Sequence, residues 1–338
     1  MRIFPFAAAL LLAVTALAES PQDREIRFTY EVSIGPIPAG KGPVHVFLPL
    51  PREDENQDVL EREIRSSIPG VVDRERAHGN AFWHGVVAES DGSPITVTIE
   101  SLVRRVPIDR SRLDEEQSSG LTRSQRRQHA RFLGESSRVV VNDPVLEPIQ
   151  REVRRIASPK HPARHARAIY DWVVDHVEYK KVGEGWGNGD TFWACSERSG
   201  NCTDFHSLFI SLARSAGIPA RFEMGFPVPE ERAGGEIGGY HCWTQFFLPE
   251  IGWVPIDASE AFKHPEKREE LYGGQPADRV LFTIGRDLEL GPGHVTGPLN
   301  YFIYPHVEVG GHLYQGTVTT GFSFEETRGA ASSGAWGQ

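Results

Sequence analysis

One stretch constrains the chain more than any other. From Thr203 onward Phe205, Leu208, Phe209, Leu212 and Ala216 recur at helical spacing, Gly200 and Asn201 stand just before the run, and Gly217 and Pro219 stop it. A helix that buries such a face is central to whatever it belongs to. The segments after it alternate in strand fashion: Ala220 to Phe226, then Tyr240 to Leu248 and Gly252 to Asp257, joined by Pro249-Glu250-Ile251.

The helix opens on Cys202. The first N–H groups of a helix lack internal partners and the macrodipole places partial positive charge there, so a thiol in the first turn is biased toward thiolate. A nucleophile needs a base and a group to orient that base. The hairpin supplies both. A three-residue connection pairs Leu248 with Gly252, which sets Trp243 opposite Asp257 and leaves His241 two residues further along, on the same face and at the same end. In this register His241 takes the proton of Cys202, and Asp257 fixes the imidazole tautomer. The Cys202 backbone N–H is one candidate oxyanion donor. The indole N–H of Trp193 or Trp186, upstream, is a second, and the sequence does not choose between them.

The rest of the chain is arranged around this core. Residues 24 to 107 contain alternating runs, among them Glu25 to Val32, Val44 to Leu48 and Ile95 to Glu100, separated by Pro, Gly, Asp and Asn. They predict an all-β domain over 19–108. The segment Gly35 to Gly42 imitates a phosphate loop, but Gly42 stands where a hydroxyl is needed, and Pro36 and Pro38 lack N–H groups. Residues 109–142 are polar and read as a linker or covering segment, with a helical hint from Thr122 to Phe132; the arginines from Arg123 to Arg131 read as a solvated helix face. Helices are predicted from Asp143-Pro144 and from Ser158-Pro159, opening a catalytic unit over 143–325. A loop with glycines at 183, 185, 187 and 189 precedes the candidate nucleophile. Strands near Val280 to Ile284, Tyr301 to Val309 and Thr317 to Phe324 are expected to extend the core sheet or cover the cleft, and 326–338 is expected to be a disordered tail.

Residues 1–18 have the form of a secretory signal: Arg2, an apolar run from Phe4 to Leu17, and Ala16-Leu17-Ala18 as cleavage site. The expectation is an exported protein, secreted or periplasmic, beginning near Glu19, with no membrane span. With 36 basic and 46 acidic residues the net charge is −10, and no basic stripe suggests a nucleic-acid partner. Three cysteines, Cys195, Cys202 and Cys242, leave an odd thiol; Cys195 and Cys242 either bridge or are small buried thiols. Cys202, His206, His241 and Cys242 lack the spacings of a zinc site, so neither metal nor cofactor is expected.

The segments Ser199 to Asp204, Leu212 to Arg221, Tyr240 to Trp243 and Gly252 to Ser259 resemble the transglutaminase-like superfamily, a branch of the papain-like cysteine peptidase fold. The resemblance is strong over about 165–260. It implies a Cys202–His241–Asp257 triad, an α+β core with the nucleophile helix packed on an antiparallel sheet, and an accessory all-β domain as in exported bacterial members. It further implies a peptide or protein substrate and chemistry through a thioester, resolved by an amine or by water. The alternative from another class is a catalytically silent module that holds a peptide in the same cleft. The oligomeric state is not legible.

Overall fold

The computed structural model describes residues 23–111, 113 and 118–328. The signal-like residues 1–18 and the tail from 329 onward lie outside this range. Residues 326–328, expected to belong to a tail, lie instead in the last strand, Val318–Arg328.

The N-terminal alternation produces the predicted sheets. In Arg24–Ile34 the residues Ile26, Phe28, Tyr30, Val32 and Ile34 are buried, and the neighbouring strand Ile95–Arg105 turns Ile95, Val97, Ile99 and Val103 to the same side. This five-stranded sheet has the order Gly234–Glu236, Val318–Arg328, Arg24–Ile34, Ile95–Arg105, Gln57–Ser66. A second five-stranded sheet has the order His312–Leu313, His306–Val309, Val44–Pro49, Ala81–Val87, Gly70–Arg74. Both sheets are therefore completed by strands from beyond residue 300. Those strands were expected to extend the core sheet or cover the cleft; of the three, only Arg279–Ile284 joins the core sheet. Alternation reveals which face a strand buries but not which strand it joins. Phe322 illustrates this, lying 4.6 Å from Tyr30 and 4.3 Å from Phe226 between ring centroids. The boundary drawn at 143–325 consequently cuts across both β sheets.

The core sheet is antiparallel, in the order Gly252–Ile256, His241–Leu248, Ala220–Pro227, Arg279–Ile284. The predicted hairpin register is present, with Leu248 opposite Gly252 and Thr244 opposite Ile256. Among the described residues six α-helices accompany the sheets: α1 (Arg123–Gln128), α2 (Glu147–Ile156), α3 (Pro162–His176), α4 (Thr191–Glu197), α5 (Cys202–Ser215) and α6 (Ala258–Lys263). Every residue of α5 from Cys202 to Ala213 is buried, so the central helix is enclosed on all sides. α3 starts at Pro162, later than Ser158-Pro159 suggested, because Pro162 occupies the first helical turn and Ser158 Oγ accepts the Lys160 N–H in the turn before it. One continuous cluster of buried side chains joins Ile26 and Val46 of the β sheets to Phe209 and Phe246 of the core. Residues 109–142 act as a cover. His129 packs on Phe247 and Phe132 on Trp253, with centroids 4.0 and 5.0 Å apart.

Candidate active site

Asn201 caps α5 by accepting the Thr203 N–H, and Asp204 reaches back to the Asn201 N–H at 2.9 Å, closing a capping box. Asp204 does more than cap. Its carboxylate also takes the N–H groups of Gly187 at 2.7 Å and Gly189 at 3.0 Å, tying the glycine-rich loop to the start of α5. Both glycines have positive φ, 82° and 60°, which turns their N–H groups toward one carboxylate. Burial pushes the Asp204 carboxyl up, and the three N–H donors oppose this.

Cys202 therefore sits on a rigid helix start, 3% exposed. Its thiol is within hydrogen-bonding reach of both Cys242 and His241. The Cys242 bond is the largest cause holding the thiol well below its ordinary value; burial opposes it, and the bond and charge of His241 reinforce it. His241 opens its strand and places Nε2 2.6 Å from Asp257 Oδ2. Burial disfavours the charged ring, but the Asp257 carboxylate beside it outweighs this and, with Cys202, raises His241 to about 10. Asp257 itself is held well below the usual carboxylate range: burial acts against this, and the charge of His241 and the hydrogen bond of His206 prevail. The three residues picked out in the sequence are thus brought together, and their charges favour a thiolate–imidazolium pair.

Asp257 is not simply the end of a strand. It caps α6 by accepting the Glu260 N–H at 3.0 Å, takes the Ser259 hydroxyl at 3.0 Å and pairs with Arg279 Nη1 at 3.2 Å. His206, fully buried one turn into α5, lies with Nε2 3.5 Å from Asp257 Oδ1 and Nδ1 3.7 Å from Cys242 Sγ. The sequence reading set His206 aside as a zinc ligand and included Asp204 and Ser259 only within longer segments; it gave none of them, nor Arg279, a role in the site. The Asp-x-x-Glu spacing from Asp257 to Glu260 is a helix-cap signature that could have flagged the first of these contacts. No sequence signal pointed to Arg279, which arrives from another strand.

Two expectations are revised, and Trp186 stays a candidate donor. The Trp193 indole N–H donates to the Ser199 carbonyl at 2.9 Å, so it is committed to the fold. Its ring fills the space beside Gly185, where an added Cβ would lie 2.0 Å from it. The Trp186 indole N–H makes no hydrogen bond among the described residues, and Lys181 Nζ stands 5.8 Å from its ring centroid. The Cys195–Cys242 bridge does not form: all three cysteines are free, and Cys242 lies against Cys202 instead. A further donor emerges beside the site. The Tyr240 hydroxyl receives the Asn201 side-chain N–H at 3.3 Å, and burial, with Cys202 nearby, keeps it protonated. Tyr301 and Tyr304 flank its ring at 6.1 and 5.8 Å.

Residues 150–258 match the sequence model of the transglutaminase-like superfamily, a stretch that contains Cys202, His241 and Asp257. The chain carries a transglutaminase-like core. An uncharacterized protein of Haemophilus influenzae is 32% identical over 183 residues, 45% of this chain and 50% of that protein. A protein-glutamine gamma-glutamyltransferase of Pseudomonas aeruginosa is 32% identical over 84 residues, 22% of this chain and 12% of that protein. The matched stretches thus span half or less of these relatives. A solved structure of a candidate cysteine protease from Cytophaga hutchinsonii superposes with a TM-score of 0.54 at 18% identity, covering 90% of this chain and 99% of the other. That likeness extends over the β sheets as well as the transglutaminase-like core, so the two share their fold.

Proposed function

We propose that the chain is a cysteine-dependent enzyme that cleaves or transfers the acyl group of a peptide or protein amide, with Cys202 as nucleophile, His241 as acid–base and Asp257 as its orienter. The observation that carries this reading is the 2.6 Å bond from His241 Nε2 to Asp257 Oδ2, together with the influence of His241 that lowers the Cys202 thiol. In the proposed reaction the Cys202 thiolate attacks the amide carbonyl carbon. The resulting oxyanion is met by the Cys202 N–H, which takes no partner among the described residues, and by the hydroxyl of Tyr240 or the indole N–H of Trp186. The C–N bond then breaks, His241 gives its proton to the leaving amine, and a thioester remains. Attack by a second amine gives transamidation; attack by water gives hydrolysis or deamidation.

Export to the cell envelope is part of the same proposal. It rests on the signal-like residues 1–18, and among the described residues no helix is long and apolar enough to cross a membrane.

The test is incubation with a glutamine-containing peptide and a primary amine, read by mass spectrometry for cross-link, deamidation and cleavage. Labelling with a thiol-directed electrophile runs alongside. Cys202→Ala is expected to abolish both turnover and labelling. Labelling that persists on Cys195 or Cys242 would sink the assignment of the nucleophile. Labelling of Cys202 without turnover of any amide would leave the peptide-binding module.

A further inference from the structure

The arginines between Arg123 and Arg131 were read as a solvated face, yet the end of this run helps to line a pocket. The pocket has a volume of about 280 Å³ and lies where three parts of the chain meet. Arg52 and His78 come from loops of the β sheets, Gln128, His129, Arg131 and Phe132 from the covering segment, and Arg221, Trp253 and Ile284 from the core sheet. Every polar side chain in this lining is a hydrogen-bond donor or an imidazole, and none is a carboxylate, in a chain whose net charge is −10.

The donors are only partly used. Arg52 spends Nη1 on the His78 carbonyl and Asn80 Oδ1, and its Nε is buried without a partner. His78 Nδ1 is likewise buried and unpartnered. The opposite edge of that ring is pressed against Gly285, where a Cβ would lie 2.2 Å from Nε2, so the imidazole has a slot that only glycine leaves open. Arg221 gives Nε to Glu223 and Nη2 to Gln245 while its guanidinium covers the Trp253 ring at 4.3 Å. Arg131 is exposed and makes neither ion pair nor hydrogen bond among the described residues.

The nearby acids do not balance these cations at the pocket surface. Glu223 is fully buried beneath, and holds Arg221, the Trp243 indole and Gln245. Glu75 is buried and engaged by the N–H groups of Ala77, His78 and Asn80. Arg214, behind the pocket, donates among the described residues only to the carbonyls of Gly134 and Ala220.

We propose that this pocket binds an anion bearing phosphate or carboxylate groups. Planar guanidinium groups recognise such oxygens by paired hydrogen bonds, and the Trp253 ring beneath Arg221 holds that fork in place. The electrostatics agree with the geometry. Burial and the charges of Arg131, Arg52, Arg214 and Arg221 press His78 down to about 4, and burial and Arg221 lower His129. An anion would reverse the field at both rings, so binding takes up protons and tightens as the pH falls.

The probe is inorganic pyrophosphate, titrated into the whole chain by calorimetry in low-salt buffer, with sodium chloride at matched ionic strength as control. Vesicles containing phosphatidylglycerol form a second arm that separates a lipid headgroup from a free anion. The expected result is saturable one-to-one binding in the first arm, or flotation with vesicles in the second. Arg131→Gln, an exposed position that tolerates change, weakens either by about tenfold. Imidazole NMR adds an independent reading, in which His78 titrates at higher pH once the probe is bound. Cys202→Ala leaves the binding intact, which separates this site from the thiol chemistry. Heat that sodium chloride reproduces, or binding that Arg131→Gln leaves unchanged, overturns the proposal.

Discussion

The thiolate–imidazolium pair can be tested without a substrate, through the pH dependence of stability in Cys202→Ala. The fold raises His241 from 6.5 to about 10 and lowers Cys202 well below 9.0. Taken alone, the raised imidazole contributes stability that is complete below 6.5 and is lost as the pH climbs toward 10. Taken alone, the depressed thiol contributes stability that is complete above 9.0 and is lost as the pH falls. Between 6.5 and 9.0 the two slopes cancel. The folded pair holds one proton, on His241, and the unfolded pair also holds one, on Cys202, so the difference in bound protons is zero. Removing the thiol breaks this balance. In Cys202→Ala the folded state still holds the His241 proton against Asp257 at 2.6 Å, whereas the unfolded state has none. The variant should lose stability relative to the wild type as the pH rises from 6.5, by about 1.4 kcal/mol per pH unit. Without the thiolate His241 titrates below its wild-type value, so the loss ends before pH 10 and totals less than about 5 kcal/mol. The truncation itself adds a cost that does not vary with pH. Urea unfolding of both proteins at half-unit intervals from pH 6 to 9 measures the difference. Parallel curves would refute the ion pair, because they would mean that Cys202 is an ordinary thiol in the folded state.

Two other substitutions examine the supports of the site. Asp204→Ala removes the acceptor shared by the N–H groups of Gly187, Gly189 and Asn201, and should cost at least about 3 kcal/mol at roughly 1–3 kcal/mol per orphaned group. Amide hydrogen exchange at Gly187 and Gly189 should accelerate with it; unchanged protection would show that the loop does not depend on this carboxylate. Cys242→Ala removes the S–H that contributes most to the depressed Cys202 thiol, so the alkylation profile of Cys202 should move to higher pH and its rate at pH 6 should fall about tenfold. A profile that stays in place would assign the low value to His241 alone.

What the sequence made legible was local. The helical spacing from Phe205 to Ala216 gave the central helix, and the three-residue turn gave the register that brings His241 to Asp257. Each of these follows from periodicity or from a short connection, so residues close in the chain determine it. What stayed hidden depends on chain segments that meet only in the fold. Arg279 lies 22 residues from Asp257, and the strands from beyond 300 complete sheets begun before residue 50. The error at Trp193 has the same origin. An indole N–H upstream of a nucleophile is a fair oxyanion candidate until the backbone is placed, and here the parallel pairing of Glu178-Tyr179 with Ser199-Gly200 leaves the Ser199 carbonyl in front of it.

The same long-range contacts explain how so much charge is buried at one point. Cys202, His241, Asp257 and Arg279 are each less than 10% exposed, and isolated ions there would cost several kcal/mol apiece. Their signs alternate along the contacts: thiolate to imidazolium, imidazolium to carboxylate, carboxylate to guanidinium. The cluster sums to zero as it stands. If Cys202 is removed, one positive charge is left over, and His241 can shed it by releasing a proton within the accessible pH range. If Asp257 is removed, Arg279 keeps only Asp278, at 2.9 Å, and cannot neutralise. Asp257→Asn should therefore be the more damaging change, by about 3–5 kcal/mol at every pH. The asymmetry follows from Arg279, since a carboxylate facing His241 alone would be as dispensable to the fold as the thiol.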